Sequence, residues 1–359
     1  MNRLRKRGEE IRQFILENIE NKSKDIIAPT VEKFKISRQA VHKHIRNLEK
    51  RGSLVHPKKG VYELNEETWC LSISLGVESR EDVVWRDILR EKIGQLHNNA
   101  IDIWQYGFTE MFNNVIDHSE SKDVYLTIKK TAFSTEMFIN DNGIGIFNKI
   151  KQEMNLLDER HAVLELTKGK LTTDPAKHSG EGIFFTSRMF DEFSILSGEV
   201  FLTYNYGNNE DWILQTKKNN PGTFISMKLR NNTSRETKQI FDKFTEDEVG
   251  EFGFTKTVVP VRLAQYGNEK LVSRSQAKRL LERIDRFKTV VFDFKEVESI
   301  GQAFADEVFR VFKKEHPRMN IIQINANELV MQMIDRAKSV EGDTGPETHT
   351  ISSAHDTTK

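Results

Sequence analysis

The sequence predicts a multidomain α/β protein, and three observations predict it. Its 359 residues exceed one typical domain, and 37% apolar residues can supply several cores. Charge is divided: up to Leu64 there are 16 Lys and Arg against 8 Asp and Glu, so that segment carries +8 and the remainder −8 in a chain of zero formal net charge. After Leu64, segments of helical period alternate with short strand-like runs, the pattern of layered helices and sheets.

In the basic segment, Ile11, Phe14, Ile15 and Ile19 fall on one face of a helix over Glu9 to Ile19. A shorter helix is expected from Ile26 to Phe34, with a tight connection at Lys35-Ile36. Ser37 then caps a third helix, Arg38 to Arg51, whose Val41, Ile45 and Leu48 turn inward and whose Arg38, Gln39, His42, Lys43 and Arg46 turn outward. Gly52 to Leu64 reads as a hairpin with Lys58 and Lys59 at its tip. This order, with Ser-Arg-Gln-Ala-Val-x-Lys-His-Ile-x-x-Leu, resembles a winged helix-turn-helix over residues 1–64. The resemblance implies DNA binding: Arg38, Gln39 and Lys43 would face base edges beside Arg46, and Lys58 and Lys59 would touch phosphates. RNA binding and a purely protein-contact role are also open to this fold.

Residues 65–79 carry few signals and are expected to be a linker. Arg80 to Gln95 reads as a helix packed through Val83, Val84, Trp85, Ile88, Leu89 and Ile93, with Trp85 and Trp104 as core residues. A long helix, Asn98 to His118, places Glu110, Asn114 and His118 four residues apart on one face. Such a stripe suits Mg²⁺ and nucleotide phosphate, because a hard cation takes oxygen ligands and a carboxylate can orient an attacking water. Ser134 to Ile139 is strand-like and runs into Asp141-Asn-Gly143-Ile-Gly145. Gly180-Glu-Gly182 feeds an amphipathic segment, Ile183 to Phe190, whose first amides could receive phosphate. Gly222-Thr223 opens an alternating strand to Leu229. Lys168, Lys170, Lys177 and His178 either neutralise phosphate charge or belong to a solvated loop.

Four boxes in this order, Glu110-x-x-x-Asn114-x-x-x-His118, Asp141-x-Gly143-x-Gly145, Gly180-x-Gly182 and Gly222-Thr223, resemble the GHKL ATPase family. The resemblance implies a Bergerat-type α/β sandwich over residues 80–232 that binds ATP and Mg²⁺. By it, Asn114 is the metal ligand, Asp141 reads the adenine amino group, and Glu110 is the general base. Gly143, Gly145, Gly180 and Gly182 let the loops close on ATP, with Thr223 in the fourth box. Glu110 also has a reading as a solvated helix residue, and His118 as a helix-end cap beside Ser119 instead of a phosphate contact. The form Glu-x-x-Asn-Asn-x-x-x-His is closer to the anti-sigma-factor serine kinases than to sensor histidine kinases.

The last third alternates again: a strand-like Thr257 to Leu263, a helix from Ser275 to Phe287, a buried strand from Thr289 to Phe294, and helices at 301–312 and 328–337 around the strand Asn320 to Ile324. Val290-Val-Phe-Asp-Phe-Lys-Glu-Val-Glu-Ser-Ile-Gly-Gln302 is similar to STAS domains of anti-anti-sigma factors, over residues 255–338. That similarity implies a small α/β layer domain that binds a protein partner. Gln302 stands where those proteins carry their phosphorylated serine, with Ser299 three positions earlier. Residues 339–359 form a polar tail expected to be disordered.

The single cysteine, Cys70, excludes an intramolecular disulfide framework and fits a reducing cytoplasm. No apolar run nears the ~20 residues a membrane span needs. The expectation is a cytoplasmic transcriptional regulator coupling Mg·ATP binding or hydrolysis to DNA and partner binding, with a homodimer left open. The alternative is a serine/threonine protein kinase of the anti-sigma-factor type.

Overall fold

The computed structural model describes residues 3–58, 60–76, 80–171, 180–207, 210–245, 253–265 and 269–339. The chain forms two compact units, Met1–Phe254 and Thr255–Lys359.

The first unit begins with α1 (Arg3–Glu20), α2 (Ile27–Phe34), α3 (Arg38–Lys50) and a hairpin of β1 (Leu54–Lys58) with β2 (Val61–Leu64). Ile11, Ile15, Val41, Ile45, Leu48 and Leu54 form its core, the residues that helical period places inward. Lys35 makes the left-handed turn after α2, and Ser37 Oγ caps α3 by accepting the Ala40 N–H at 3.2 Å.

The stretch expected to be a linker is instead partly sheet. Glu67–Ser74 forms β3, paired antiparallel with β4 (Asp123–Lys130) from Glu67↔Lys130 to Ser74↔Asp123. Trp69, Leu71 and Ile73 alternate with Thr68, Cys70 and Ser72, a period-two pattern too short and polar to stand out from a loop. A helical segment follows as α4 (Glu81–Val84), a π-helical turn (Trp85–Leu89) and α5 (Arg90–Ile93), burying Trp85, Leu89 and Ile93. The long helix is α6 (Asn98–His118), where its period placed it. Then come β5 (Ser134–Asp141), α7 (Ile146–Glu153), α8 (Glu159–Lys168), α9 (Gly182–Met189), β6 (Glu192–Asn205), β7 (Glu210–Arg230) and α10 (Thr237–Asp242).

The five strands pair antiparallel in the order β3-β4-β5-β7-β6. Alternate residues such as Val124, Leu126, Met137, Ile139, Ile225 and Met227 are buried, while Tyr125, Thr127, Phe138 and Ser226 on the other face are partly or fully exposed.

The basic head is not a separate body. Phe133, at the tip of the β4–β5 turn, belongs to the head's own core. Beside it, Glu20 lies 2.6 Å from Lys228 Nζ and accepts the Ser134 hydroxyl at 3.2 Å, and Glu17 lies 3.4 Å from Arg230. Head and sheet share these apolar and ionic contacts within one unit.

The second unit contains β8 (Lys256–Pro260), a 3-10 turn, α11 (Arg274–Leu281), β9 (Thr289–Asp293), α12 (Gln302–Asp306), a π-helical turn, α13 (Phe312–Glu315), β10 (Asn320–Ile324) and α14 (Glu328–Ser339). Its three strands are parallel in the order β10-β9-β8, and central β9 is buried at every position. Ser339 ends α14, and the rest of the expected tail, 340–359, lies outside the described residues. Among the described residues no helix is long and apolar enough to cross a membrane.

Candidate functional site

Antiparallel register brings the end of β5 beside Gly222-Thr223 within β7, and with them two of the sequence boxes. Asp141, at the end of β5, is 1% exposed and accepts the Gly143 N–H at 2.8 Å and the Thr223 N–H at 3.3 Å on one carboxylate oxygen. Burial raises its pKa, and the two backbone bonds, with the Thr223 hydroxyl, offset that only in part. Thr223 Oγ1 in turn accepts the Ile146 N–H at 3.0 Å, fixing the start of α7. Gly145 sits against Ser197 and Gly222, and the Ser197 hydroxyl donates to the Gly222 carbonyl at 2.8 Å. Gly143 is packed on the Ser119 carbonyl so closely that a Cβ would overlap it.

The other two boxes meet at α6 and α9. Glu110 and Asn114 lie one turn apart on α6, with His118 at its last position, all half-buried between buried Met111, Phe112 and Val115 and exposed Asp117. Gly182, the first residue of α9, rests on the Glu110 carboxylate, and a Cβ there would overlap Oε2. Gly180 packs on the Leu171 backbone, whose N–H donates to its carbonyl at 3.0 Å. All eight expected cofactor residues, Asn114, His118, Asp141, Gly143, Gly145, Gly180, Gly182 and Thr223, are thus described, together with Glu110.

Two groups that the sequence did not single out join the Glu110 end. Tyr106, one turn earlier on α6, has its phenol pKa pushed up by burial and by the charges of Glu110 and Glu181. Glu181, inside the Gly-x-Gly box, is itself raised by burial, with Lys170 opposing. Tyr106 could have been found by extending the α6 stripe back four residues. Ser197 had no signal, because only strand register brings it to Gly222.

Lys168 does not face a phosphate site: it is 1% exposed with its ammonium 2.6 Å from Glu165. The α8 helix runs through Lys168, where the sequence suggested a loop. Lys177 and His178 lie outside the described residues.

On the head, Arg38, Gln39, Lys43 and Arg46 are exposed along α3, and Lys58 is exposed at the end of β1; Lys59 lies outside the described residues. Among the described residues, Arg38, Lys43, Arg46 and Lys58 have no ion-pair partner, whereas the head acids Glu17 and Glu20 are engaged on the sheet. The cationic face is uncompensated as a result.

The donor set suits a nucleotide with a hard cation. It offers a buried carboxylate for an exocyclic amine, and an amide oxygen and a carboxylate on one helix face, while Gly143 and Gly182 let the backbone pack against Ser119 and Glu110.

Residues 276–331 match a family model described as a STAS-like domain of unknown function (DUF4325). The C-terminal unit therefore contains a STAS-like domain, whose kind is commonly a protein-interaction module. No curated protein matches the chain.

Proposed function

We propose that the first unit is a GHKL-type nucleotide-binding domain carrying a winged-helix head, and that the chain is a regulator whose DNA and partner binding respond to Mg·ATP. The observation that carries the reading is the convergence of four segments spread over more than a hundred residues. Asp141, Gly143, Gly145 and Thr223 would form one end of a site, and Glu110, Gly182 and the α6 stripe the other; the hydrogen bonds on Asp141 and the packing of Gly182 on Glu110 support this. Asp141 adds a carboxyl whose pKa burial raises at the edge of this set, as groups at binding sites often show.

Asp141 would accept a hydrogen bond from the adenine amino group on the oxygen not committed to Gly143 and Thr223. The amides at the start of α9 would meet phosphate, aided by the helix dipole. Asn114 would offer its amide oxygen to Mg²⁺. Mg·ATP, when bound, supplies a γ-phosphoryl group whose charge is partly neutralised. Glu110 would orient a water, or take the proton of a hydroxyl, at its carboxylate. Arg38, Gln39, Lys43 and Arg46 would enter a groove of DNA, with Lys58 on a phosphate.

A second reading, a serine/threonine kinase of the anti-sigma-factor type, is favoured by the STAS-like match within the same chain. Ser299 lies half-buried in the loop before α12, and Gln302 begins that helix. One experiment separates the two readings: purified protein is titrated with Mg·ATP while phosphate release, intact mass and retention of DNA are followed in one sample. The regulator reading predicts saturable ATP binding that alters DNA retention at constant mass. A gain of one phosphate on the protein or its partner, lost in Glu110→Ala with ATP binding kept, would establish the kinase.

A further inference from the structure

Five phenylalanines gather where the α9 end of the candidate site meets the end of the first unit. Phe184 and Phe185 lie in the first turn of α9, directly after Gly182 and Ile183. Phe241 comes from α10, Phe244 follows it, and Phe254 is the last residue of the unit. The Phe254 ring centroid is 4.6 Å from Phe184 and 5.0 Å from Phe185, and Phe244 is 4.9 Å from Phe184. Phe185 meets Phe241 at 4.5 Å. Phe254 also covers Gly169, the residue after α8, where a Cβ would overlap its ring, and Lys170 Nζ lies 5.7 Å from the ring centroid.

Placement gives the cluster its consequence. One side of Phe254 rests on the helix turn whose leading amides would face phosphate, and another rests on the end of α8. Its main chain continues directly into Thr255, where the second unit begins. Packed interiors do not deform continuously, so a shift of the α9 turn is felt by the ring seated on it.

We infer that Phe254 is a latch coupling occupancy of the α9 end of the site to the polypeptide that enters the STAS-like unit. The inference rests on the nucleotide reading above. A ligand held by the amides of Gly182 and its neighbours fixes the first turn of α9, which fixes the seat of Phe254 and slows opening of the chain around it. Linkage makes the effect reciprocal: whatever factor ATP adds to latch closure, an intact latch adds to ATP affinity.

The test uses the full chain. Hydrogen exchange over residues 253–258 is measured with and without Mg·ATP, alongside ATP affinity on the same preparation. Wild type is expected to exchange more slowly in this segment with Mg·ATP, by a factor of about 5 to 150. Phe254→Ala is expected to lose the slowing and to bind ATP more weakly by a similar factor, whereas Phe254→Tyr keeps both. If the alanine variant does not fold, Phe254→Leu retains apolar volume and is expected to lose most of the coupling. Wild type that binds ATP with no change in exchange over 253–258 overturns the latch and leaves the nucleotide site standing. Unaltered ATP affinity in a folded Phe254→Ala does the same. Absence of ATP binding in wild type removes both, and the affinity measurement identifies that case.

Discussion

The β5–β7 ladder runs from the head junction, at Ser134 and Arg230, to the candidate site, at the end of β5 and at Thr223 within β7, and its two ends are built by opposite rules. At the head end, Phe133 is buried in apolar company and Lys228 has a carboxylate at 2.6 Å. Burial alone would depress the Lys228 pKa, but the Glu20 hydrogen bond and charge, with Glu192 and Glu136, hold it above the ordinary lysine value. At the other end Asp141, 1% exposed, is more deeply buried than Lys228 and receives only backbone N–H groups and the Thr223 hydroxyl, so burial wins and its pKa rises. At the joint opposite charges compensate the ammonium, whereas at Asp141 only dipolar donors do.

The largest test of this contrast is at the joint. Phe133→Ala removes a core ring from the head and should cost about 3–5 kcal/mol, read by urea unfolding of the whole first unit. A cost below about 1 kcal/mol would mean that the head's core does not depend on the sheet, and the contrast would break there.

Next comes Gly182→Ala, which forces a methyl into the Glu110 carboxylate. Overpacking of this kind costs about 1–3 kcal/mol, and nucleotide binding should fall with it. Wild-type stability and affinity in this variant would show that Glu110 and Gly182 are not in contact.

At Asp141 the sign reverses. Its carboxyl binds a proton more tightly folded than unfolded, so ionisation costs stability. That penalty is absent below the ordinary carboxylate value of 3.8 and complete once pH exceeds the raised folded value. Asp141→Asn removes that penalty, so above the raised folded value the variant should be at least as stable as wild type while binding nucleotide more weakly. Loss of stability would place Asp141 with the joint rather than the site.

The smallest effect is on the head. His44 has its pKa lowered by burial and by Arg12 and Lys43, against Glu9. It is neutral when folded, so its contribution is complete above 6.5 and is lost as pH falls from there through the lowered value. Melting temperature should drop slightly between pH 7.5 and 5.5, and His44→Gln should flatten that slope.

Much of this was legible in residue order. Helical period located α3 and α6, and period-two alternation located most of β5. Register was not legible: Asp141 meets Thr223 only because β5 pairs with β7, a contact across 82 residues. The joint was equally hidden, because Phe133 reads as a turn residue and β3 as a linker until the sheet exists. Lys168 misled because a lysine near glycine suggests a phosphate loop, whereas a helix carries it inward onto Glu165.

The central claim is that α6, the β5 end, α9 and the Gly222-Thr223 segment of β7 form one Mg·ATP site. Calorimetric titration of the full chain with Mg·ATP tests it most directly, using wild type, Asn114→Ala and Asp141→Asn, each checked by circular dichroism. The account predicts saturable binding of one nucleotide per chain in wild type, weakened about tenfold or more in both folded variants. No binding by wild type, or wild-type affinity in Asp141→Asn, would contradict it.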